Sequence, residues 1–354
     1  MPSCITPRTL WHWKHCVIVK ETAMTQKMQL KTENAALDVL KGIACALIAS
    51  SHLPSFWNCE MIDAYYLGWF LRICVPLFFV CSGYFFFQSQ HKERFLLRIA
   101  LLYVLGYLLY LPLILQGAEN MAEGISRLRW NLVIGYEHLW YLNATLFGFL
   151  IWYGLERIPQ LGRWLYPAGI PVCVLLILMG GLLDEYYPLC AVPWVKNLGE
   201  FISRFGGPRN VVFMGLPLLL LGGGLARYDL AIRKIPTFAL VLCYLVLRAL
   251  ALWEIHFLFG ARGLAISCDI TFINCFPAVI LMALALRIPV KIPWSVGKQL
   301  RTMTEYVYIL HPLVGAYLVR TLALPPFWNW ICTVVFCCCL TLLLEKQFLR
   351  KRSE

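Results

Sequence analysis

Long apolar blocks, each about 18 to 25 residues, recur along the whole sequence and constrain its fold more than any other feature. A helix of about 20 such residues crosses about 30 Å of hydrocarbon and satisfies its own backbone hydrogen bonds there. The sequence therefore predicts an all-α, polytopic integral membrane bundle of about ten transmembrane helices. The predicted blocks are residues 35–53, 65–88, 95–116, 138–156, 165–183, 209–226, 236–254, 264–286, 302–321 and 327–345.

The composition excludes a water-soluble fold. The 354 residues are 60% hydrophobic and 14% charged, whereas a soluble chain has about 25% charged residues. The net charge of +12 is spread through short loops, which is typical of membrane topology rather than of a nucleic-acid-binding surface. We therefore expect the lipid bilayer, and no nucleic acid, as a partner.

Loops that are rich in lysine and arginine alternate along the chain with loops that contain few of them. The side that holds the N-terminus collects about twenty of them, including Lys92 and Lys234, and the opposite side about seven, so the positive-inside rule predicts that both termini are cytoplasmic. The loops around Cys59 and Cys190 then face outward, and a disulfide between these two cysteines remains open. Most of the other cysteines lie inside apolar blocks and are predicted core residues.

The chain is predicted to have three segments. Residues 1–32 form a polar N-terminal arm without the apolar block of a signal peptide, residues 33–346 form the transmembrane domain, and residues 347–354 form a basic cytoplasmic tail. Met24 and Met28 leave open whether the natural chain begins at one of them. No further domain follows the tail in this sequence, so we expect the function to reside in the membrane bundle.

Two predicted outer loops, residues 117–137 and 184–208, contain aromatic side chains, among them Trp130 and Trp194. Such residues form an interfacial belt, but loops of this length can also cap a substrate cavity. Both interpretations remain open. The three glycines at 222–224 lack the following lysine of a phosphate-binding loop and predict close helix packing instead.

The first predicted helix carries three ionisable side chains, Asp38, Lys41 and His52. Eleven residues separate Lys41 from His52, so the two lie within about 20° on one helix face and about 16 Å apart along the axis. Asp38 precedes Lys41 by three residues and can pair with it. In the alternative interpretation Lys41 snorkels to the membrane surface and His52 marks the outer helix end. A neutral histidine, with a free pKa of about 6.5, suits proton abstraction.

Further ionisable side chains fall in or near predicted helices, where they are costly unless they are paired or face a cavity. We expect Arg72, His138, Glu254 and His311 to line a substrate cavity. Pairing between helices is the alternative, for example Arg248 with Glu254, and for His311 a structural hydrogen bond beside a helix-weakening proline. No cysteine or histidine spacing indicates a metal site.

Several segments together resemble the acyltransferase 3 superfamily of membrane proteins. Lys41 and His52 have the spacing of that family's arginine and histidine in the first helix. The other similar segments are VPLFFVCSGYFFF at 75–87, RFLLRIALLY at 94–103, HLWYL at 138–142 and YILHP at 308–312. These segments span nearly the whole chain in order.

The resemblance implies transfer of an acyl group, often acetyl, to a cell-surface carbohydrate or lipid-linked glycan in the bacterial cell membrane. Taken with the polar side chains of the first helix, it leads us to expect that His52, Lys41 and Asp38 are catalytic. Lys41, Arg94 and Arg98 lie on the predicted cytoplasmic side, and we expect their positive charges to bind the coenzyme A phosphates of an acyl-CoA donor. No permanently bound cofactor is implied. Lysine at position 41 keeps the positive charge of the family's arginine but lacks its planar, two-pronged guanidinium.

HLWYL and PRNVVFMGLPLLLLGG at 208–223 are especially similar to the membrane half of the serine racemase proteins of vancomycin resistance. The reported role of that half is similar to that of a serine transporter. A transporter of a small polar molecule such as serine is therefore an alternative to acyl transfer, and a non-catalytic membrane sensor is another. A single fold supports more than one such function.

Overall fold

The computed structural model describes residues 35–57, 59–263 and 269–353, with side chains described as far as residue 344. The predicted arm, with Met24 and Met28, lies outside these residues. In the part described, all regular structure is helical and no strand occurs. The helices are α1 Ala35–Ser50, α2 Glu60–Gln88, α3 Lys92–Leu115, α4 Met121–Ile134, α5 Trp140–Arg157, α6 Pro159–Trp164, α7 Gly169–Leu189, α8 Pro193–Arg204, α9 Val211–Arg227, α10 Asp229–Arg233, α11 Thr237–Arg262, α12 Phe276–Ala285, α13 Trp294–Leu322 and α14 Pro326–Ser353.

Five helices among the described residues are long and apolar enough to cross a membrane. They are α2, α3, α7, α11 and the segment Pro326–Leu344 of α14. Every other predicted block also contains a helix, but these helices are shorter or carry more polar residues. The all-helical membrane fold is thus confirmed, and the count of ten crossings stays a prediction.

The interior is built around the crossing of α2 and α9, whose backbones approach each other closely. A Cβ atom at Gly83 would overlap the carbonyl of Leu219, and one at Gly222 would overlap the carbonyl of Val80. Gly223 faces the ring of Trp152 in the same way. The predicted close packing at the three glycines is confirmed, because only a residue without Cβ permits this approach.

The predicted helix 264–286 is wrong over residues 269–275, and residues 264–268 lie outside the described part of the chain. Residues 269–275 form a mostly buried, irregular segment in front of the helix Phe276–Ala285. The carboxylate of Glu254 accepts hydrogen bonds from the backbone N–H groups of Phe272 and Ile273 at 2.7 and 3.1 Å. These bonds replace the helical ones, as a non-helical backbone inside a membrane protein requires. The apolar composition of the segment conceals this arrangement.

The two long predicted outer loops each contain a helix, α4 and α8, and they meet. The rings of Trp130 and Phe205 lie 5.3 Å apart. Ile134 and Gly135 from the first loop and Gly206 from the second line an internal cavity. The interpretation that these loops cap a cavity therefore holds, although Trp130 and Trp194 are also exposed at the surface. Cys59 and Cys190 form no disulfide here.

Candidate functional site

A cavity of about 540 Å³ lies inside the bundle and is lined in part by the first helix and the turn that follows it. Lys41, in α1, lines one region of it, and His52, just beyond the end of α1, lines another. The helix ends at Ser50, so the predicted placement of both residues on one helix face is wrong. From Lys41 to Ser50 the helix axis rises about 13 Å. The other ionisable groups of its lining are Arg72, Glu137, His138, Arg209 and Glu305, together with the phenols of Tyr141 and Tyr308.

Three histidines from distant parts of the sequence meet at this cavity. The ring centroid of His52 lies 5.0 Å from that of His311 and 5.9 Å from that of His138, and the latter two rings are 5.4 Å apart. His138 precedes α5 and His311 lies in α13. The sequence predicted each of the three as a candidate, and the structure brings them into one cluster. His52 and His138 line the cavity. His311 does not line it, contrary to the prediction, because its side chain is buried against Val307 and the other two rings.

A hydrogen bond orients the ring of His311, whereas neither ring nitrogen of the buried His138 has a hydrogen-bond partner among the described residues. Nδ1 of His311 donates to the carbonyl of Val307 at 2.8 Å, because a carbonyl can only accept. In the neutral ring Nε2 is then the acceptor, and within the described part of the chain it has no hydrogen-bond partner although the residue is 1% exposed. Tyr308 donates to the backbone carbonyl of His138 at 2.6 Å. An unsatisfied buried acceptor of this kind marks a place where a ligand or substrate group can bind.

Lys41, which lies in the first half of α1, belongs to a small charge network. Its Nζ lies 3.5 Å from the carboxylate of Asp38, which also pairs with Arg301 of α13, and the ammonium group sits 5.4 Å from the centroid of the Phe85 ring. Lys41 therefore points into the bundle, and the snorkelling interpretation is wrong. Asp38 is buried and does not line the cavity. Its carboxylate contacts two cations, and its predicted catalytic role stays a prediction.

Arg94 and Arg98 lie on the exposed surface of α3 and do not line the cavity. Arg98 nevertheless reaches the cavity wall indirectly, since it pairs at 2.5 Å with Glu305, a lining residue. Their predicted role in binding the coenzyme A phosphates stays a prediction. Glu305 is an ionisable group within a predicted span, and the rule that selected the other candidates could have found it.

Arg72 lines the cavity as predicted, and the structure adds two residues beside it. Arg72 Nη2 lies 2.6 Å from Asp269 Oδ1, and Arg209 Nε lies 3.0 Å from Asp269 Oδ2. Arg209 also lines the cavity. Arg72 follows a π-helical turn, Tyr66–Phe70, in α2, an irregularity common at functional sites. Sequence reasoning missed Arg209 because it falls at a predicted helix start, where a positive charge is unremarkable.

Glu254 does not line the cavity, contrary to the prediction. It is buried and accepts hydrogen bonds from Tyr186 and Thr271 as well as from two backbone N–H groups. The pairing of Arg248 with Glu254 is also wrong, because six residues in a helix place them on different faces. Arg248 instead donates to the carbonyl of Trp69 at 2.7 Å. Both side chains stabilise the fold rather than the site.

Comparisons with known proteins support this description. The family model for an acyltransferase domain, acyltransferase 3, matches residues 34–345. An amino-acid racemase of Enterococcus faecalis is 26% identical over 304 residues, which cover 80% of this chain and 41% of that protein. The chain thus spans less than half the length of this relative. No solved structure matches it. With the family model covering most of its length, the chain belongs to the acyltransferase 3 family of membrane proteins.

Proposed function

We propose that this protein is a membrane-bound O-acyltransferase that moves an acyl group, acetyl in the simplest case, from acyl-CoA to a hydroxyl of a cell-surface carbohydrate or lipid-linked glycan. The observation that carries the proposal is the cavity lined by Lys41, His52 and His138, with the ring of His311 next to those of both histidines. Membership of the acyltransferase 3 family supports an acyltransferase-type enzyme.

In this reaction His52 acts as the general base. Its imidazole accepts the proton of the acceptor hydroxyl while the oxygen attacks the thioester carbonyl, and general base catalysis of this kind contributes about a hundred- to ten-thousand-fold in rate. The new C–O ester bond replaces the C–S bond. Coenzyme A leaves as a thiolate, which takes the proton back from the imidazolium. No oxidant, metal or covalent enzyme intermediate is required.

His311 has the position of an orienting residue. Because its Nδ1 is held by the carbonyl of Val307, its Nε2 is available to accept a hydrogen bond from a protonated ring nitrogen of His52 when the site closes around substrate. Such a partner fixes the tautomer of the base and stabilises the imidazolium that forms. Catalytic hydrogen bonds are commonly long before the substrate binds, so ring centroids 5.0 Å apart are consistent with this role.

The donor is expected to enter at the Lys41 end. The phosphates of coenzyme A would bind Lys41, with Arg94 and Arg98 supplying an attractive positive surface nearby. The extended arm of the cofactor then runs along the cavity from Lys41 towards His52, both of which line it.

Two substitutions of Lys41 distinguish the contribution of its charge from that of its shape. We expect Lys41→Arg to retain most of the kcat/KM for acetyl-CoA, whereas Lys41→Met should lose about tenfold or more, the range for a hydrogen bond to a charged group. Steady-state kinetics of the purified variants in liposomes measure this. Equal activity of Lys41→Met and the unmodified protein would remove Lys41 from the donor site.

We further propose ten membrane crossings in the bacterial cell membrane, with both termini in the cytoplasm. The alternating lysine and arginine counts of the loops support this topology. The Lys41 end of the cavity then opens towards the cytoplasm, where acyl-CoA is made, and the end near Arg72 opens outward. The acceptor would enter from that outer side.

Cysteine labelling tests the topology. Cys59 and Cys190, both partly exposed, should react with a membrane-impermeant maleimide in intact cells. Cysteines introduced as Lys92→Cys and Lys234→Cys, in a chain that lacks Cys59 and Cys190, should react only after permeabilisation. Labelling of position 92 or 234 in intact cells would rule out the ten-helix arrangement.

A second candidate function is transport of a small polar molecule such as serine. It is favoured by the similarity to part of an amino-acid racemase. Purified protein in liposomes distinguishes the two functions when it is given labelled acetyl-CoA and an extract of cell-envelope glycans. Transfer of label with release of free coenzyme A supports the enzyme. Uptake of labelled serine, without donor binding or coenzyme A release, would establish the transporter instead.

A further inference from the structure

Two arginines from different segments are held together at the cavity by one buried carboxylate. Asp269 is 7% exposed, and each of its oxygens faces one guanidinium, that of Arg72 at 2.6 Å and that of Arg209 at 3.0 Å. Both arginines line the cavity, whereas Asp269 does not. The cavity wall therefore presents two positive charges, and the carboxylate that anchors them stands behind.

The neighbouring acidic groups are engaged elsewhere. Asp184 accepts a hydrogen bond from the backbone N–H of Ile270 at 3.0 Å and does not line the cavity. Glu185 pairs with Arg262 at 2.6 Å. Glu137 does line the cavity, at the start of the short turn before α5. Because Arg72 and Arg209 share the single carboxylate of Asp269, this group of three residues keeps a net positive charge.

The two guanidinium groups share the cavity with the candidate base, because Arg72, Arg209 and His52 all line it. Arg209 is bound through Nε rather than through its Nη pair, and its guanidinium lies 6.0 Å from the centroid of the Trp140 ring. A guanidinium oriented in this way can form paired hydrogen bonds with a carboxylate or a phosphate.

We propose that Arg72 and Arg209 bind an anionic group of the acceptor, a carboxylate or a phosphate, and so select an acidic sugar or a sugar phosphate over a neutral one. An anion bound by this pair brings a hydroxyl a few bonds away to His52. The inference rests on the proposed acyl transfer only for the role of that hydroxyl. The binding of the anion is independent of the reaction.

A binding measurement without donor tests the inference. The probes are glucose, glucuronate and glucose 6-phosphate, titrated against the purified full-length protein in nanodiscs with their Kd measured by calorimetry. We expect at least one of the two anions to bind about tenfold or more tightly than glucose, a range typical of a charged bidentate contact. The stronger of the two identifies the anionic group as a carboxylate or as a phosphate.

Two variants locate the effect. Arg209→Gln should abolish the preference for the anion, and Arg209→Lys, which keeps the charge, should retain part of it. The matched control is Arg127→Gln, because Arg127 is similarly exposed, 39% against 42% for Arg209, forms an ion pair with Glu123, and does not line the cavity. Thermal unfolding of each variant establishes that it is folded.

The outcomes separate this inference from the proposed reaction. Equal binding of all three probes, no binding of either anion, or an anion preference that survives Arg209→Gln in folded protein would each overturn the anion site. Anion preference combined with no acyl transfer to any glycan supports the anion site and rejects the enzyme. Acyl transfer with equal rates to acidic and neutral acceptors supports the enzyme and rejects the anion site.

Discussion

Replacing His52 with alanine is expected to lower acyl transfer in liposomes by at least about a hundredfold while the protein remains assembled, because this removes the general base. A hydroxyl that keeps its proton attacks a thioester poorly. The residue follows the end of α1 and lines the cavity, so the substitution removes no helical hydrogen bond. The measurement is incorporation of label from acetyl-CoA into glycan at saturating donor.

Two further histidine variants serve as the control for this result and as a test of the residue that orients the base. His256→Ala is the matched control, because His256 is exposed, bonds to Tyr65 and does not line the cavity, and we expect it to transfer label at the normal rate. His311→Ala should lower kcat with little change in KM, as expected of a residue that orients the base. If His52→Ala kept a normal rate, the base would have to be sought elsewhere in the cavity.

The sequence predicted the helices well because an apolar run of sufficient length has few other folds in a membrane. It failed where polar contacts override that pattern. The segment before α12 is apolar enough to suggest a helix, but Glu254 holds its backbone in an irregular form through hydrogen bonds to Phe272 and Ile273. A carboxylate that binds backbone N–H groups some twenty residues away leaves no periodic signal in the sequence.

The candidate site was likewise predictable only in part from the sequence. His52, His138 and His311 were each recognisable as ionisable groups near predicted spans, but their adjacency depends on how α1, α5 and α13 pack. The ion pairs of Asp269 with two arginines likewise join residues that are distant in the chain. Residue type indicates which side chains are costly in a membrane, and only the fold shows which of them meet.

The crossing of α2 and α9 predicts the largest effect on stability. Gly222→Ala should strongly destabilise the protein, because its new Cβ would overlap the backbone carbonyl of Val80, and a backbone atom cannot move aside as the end of a flexible side chain can. Overpacking of this kind costs about 1 to 3 kcal/mol and occasionally more. Gly83→Ala should act similarly from the other helix, through the carbonyl of Leu219.

The direction of this effect distinguishes packing from helix propensity. Alanine is favoured over glycine in a helix by about 1 kcal/mol, so a glycine without neighbours should become more stable on the same change. Gly154 in α5 has no atom within 4 Å of the position that a Cβ would take, and Gly154→Ala is therefore the control. Thermal unfolding in detergent should place Gly222→Ala well below the unmodified protein and Gly154→Ala at or above it. Because α2 also carries Arg72, separation of α2 from α9 should weaken the anion site as well. Equal stability of Gly222→Ala and Gly154→Ala would contradict the close approach of α2 and α9.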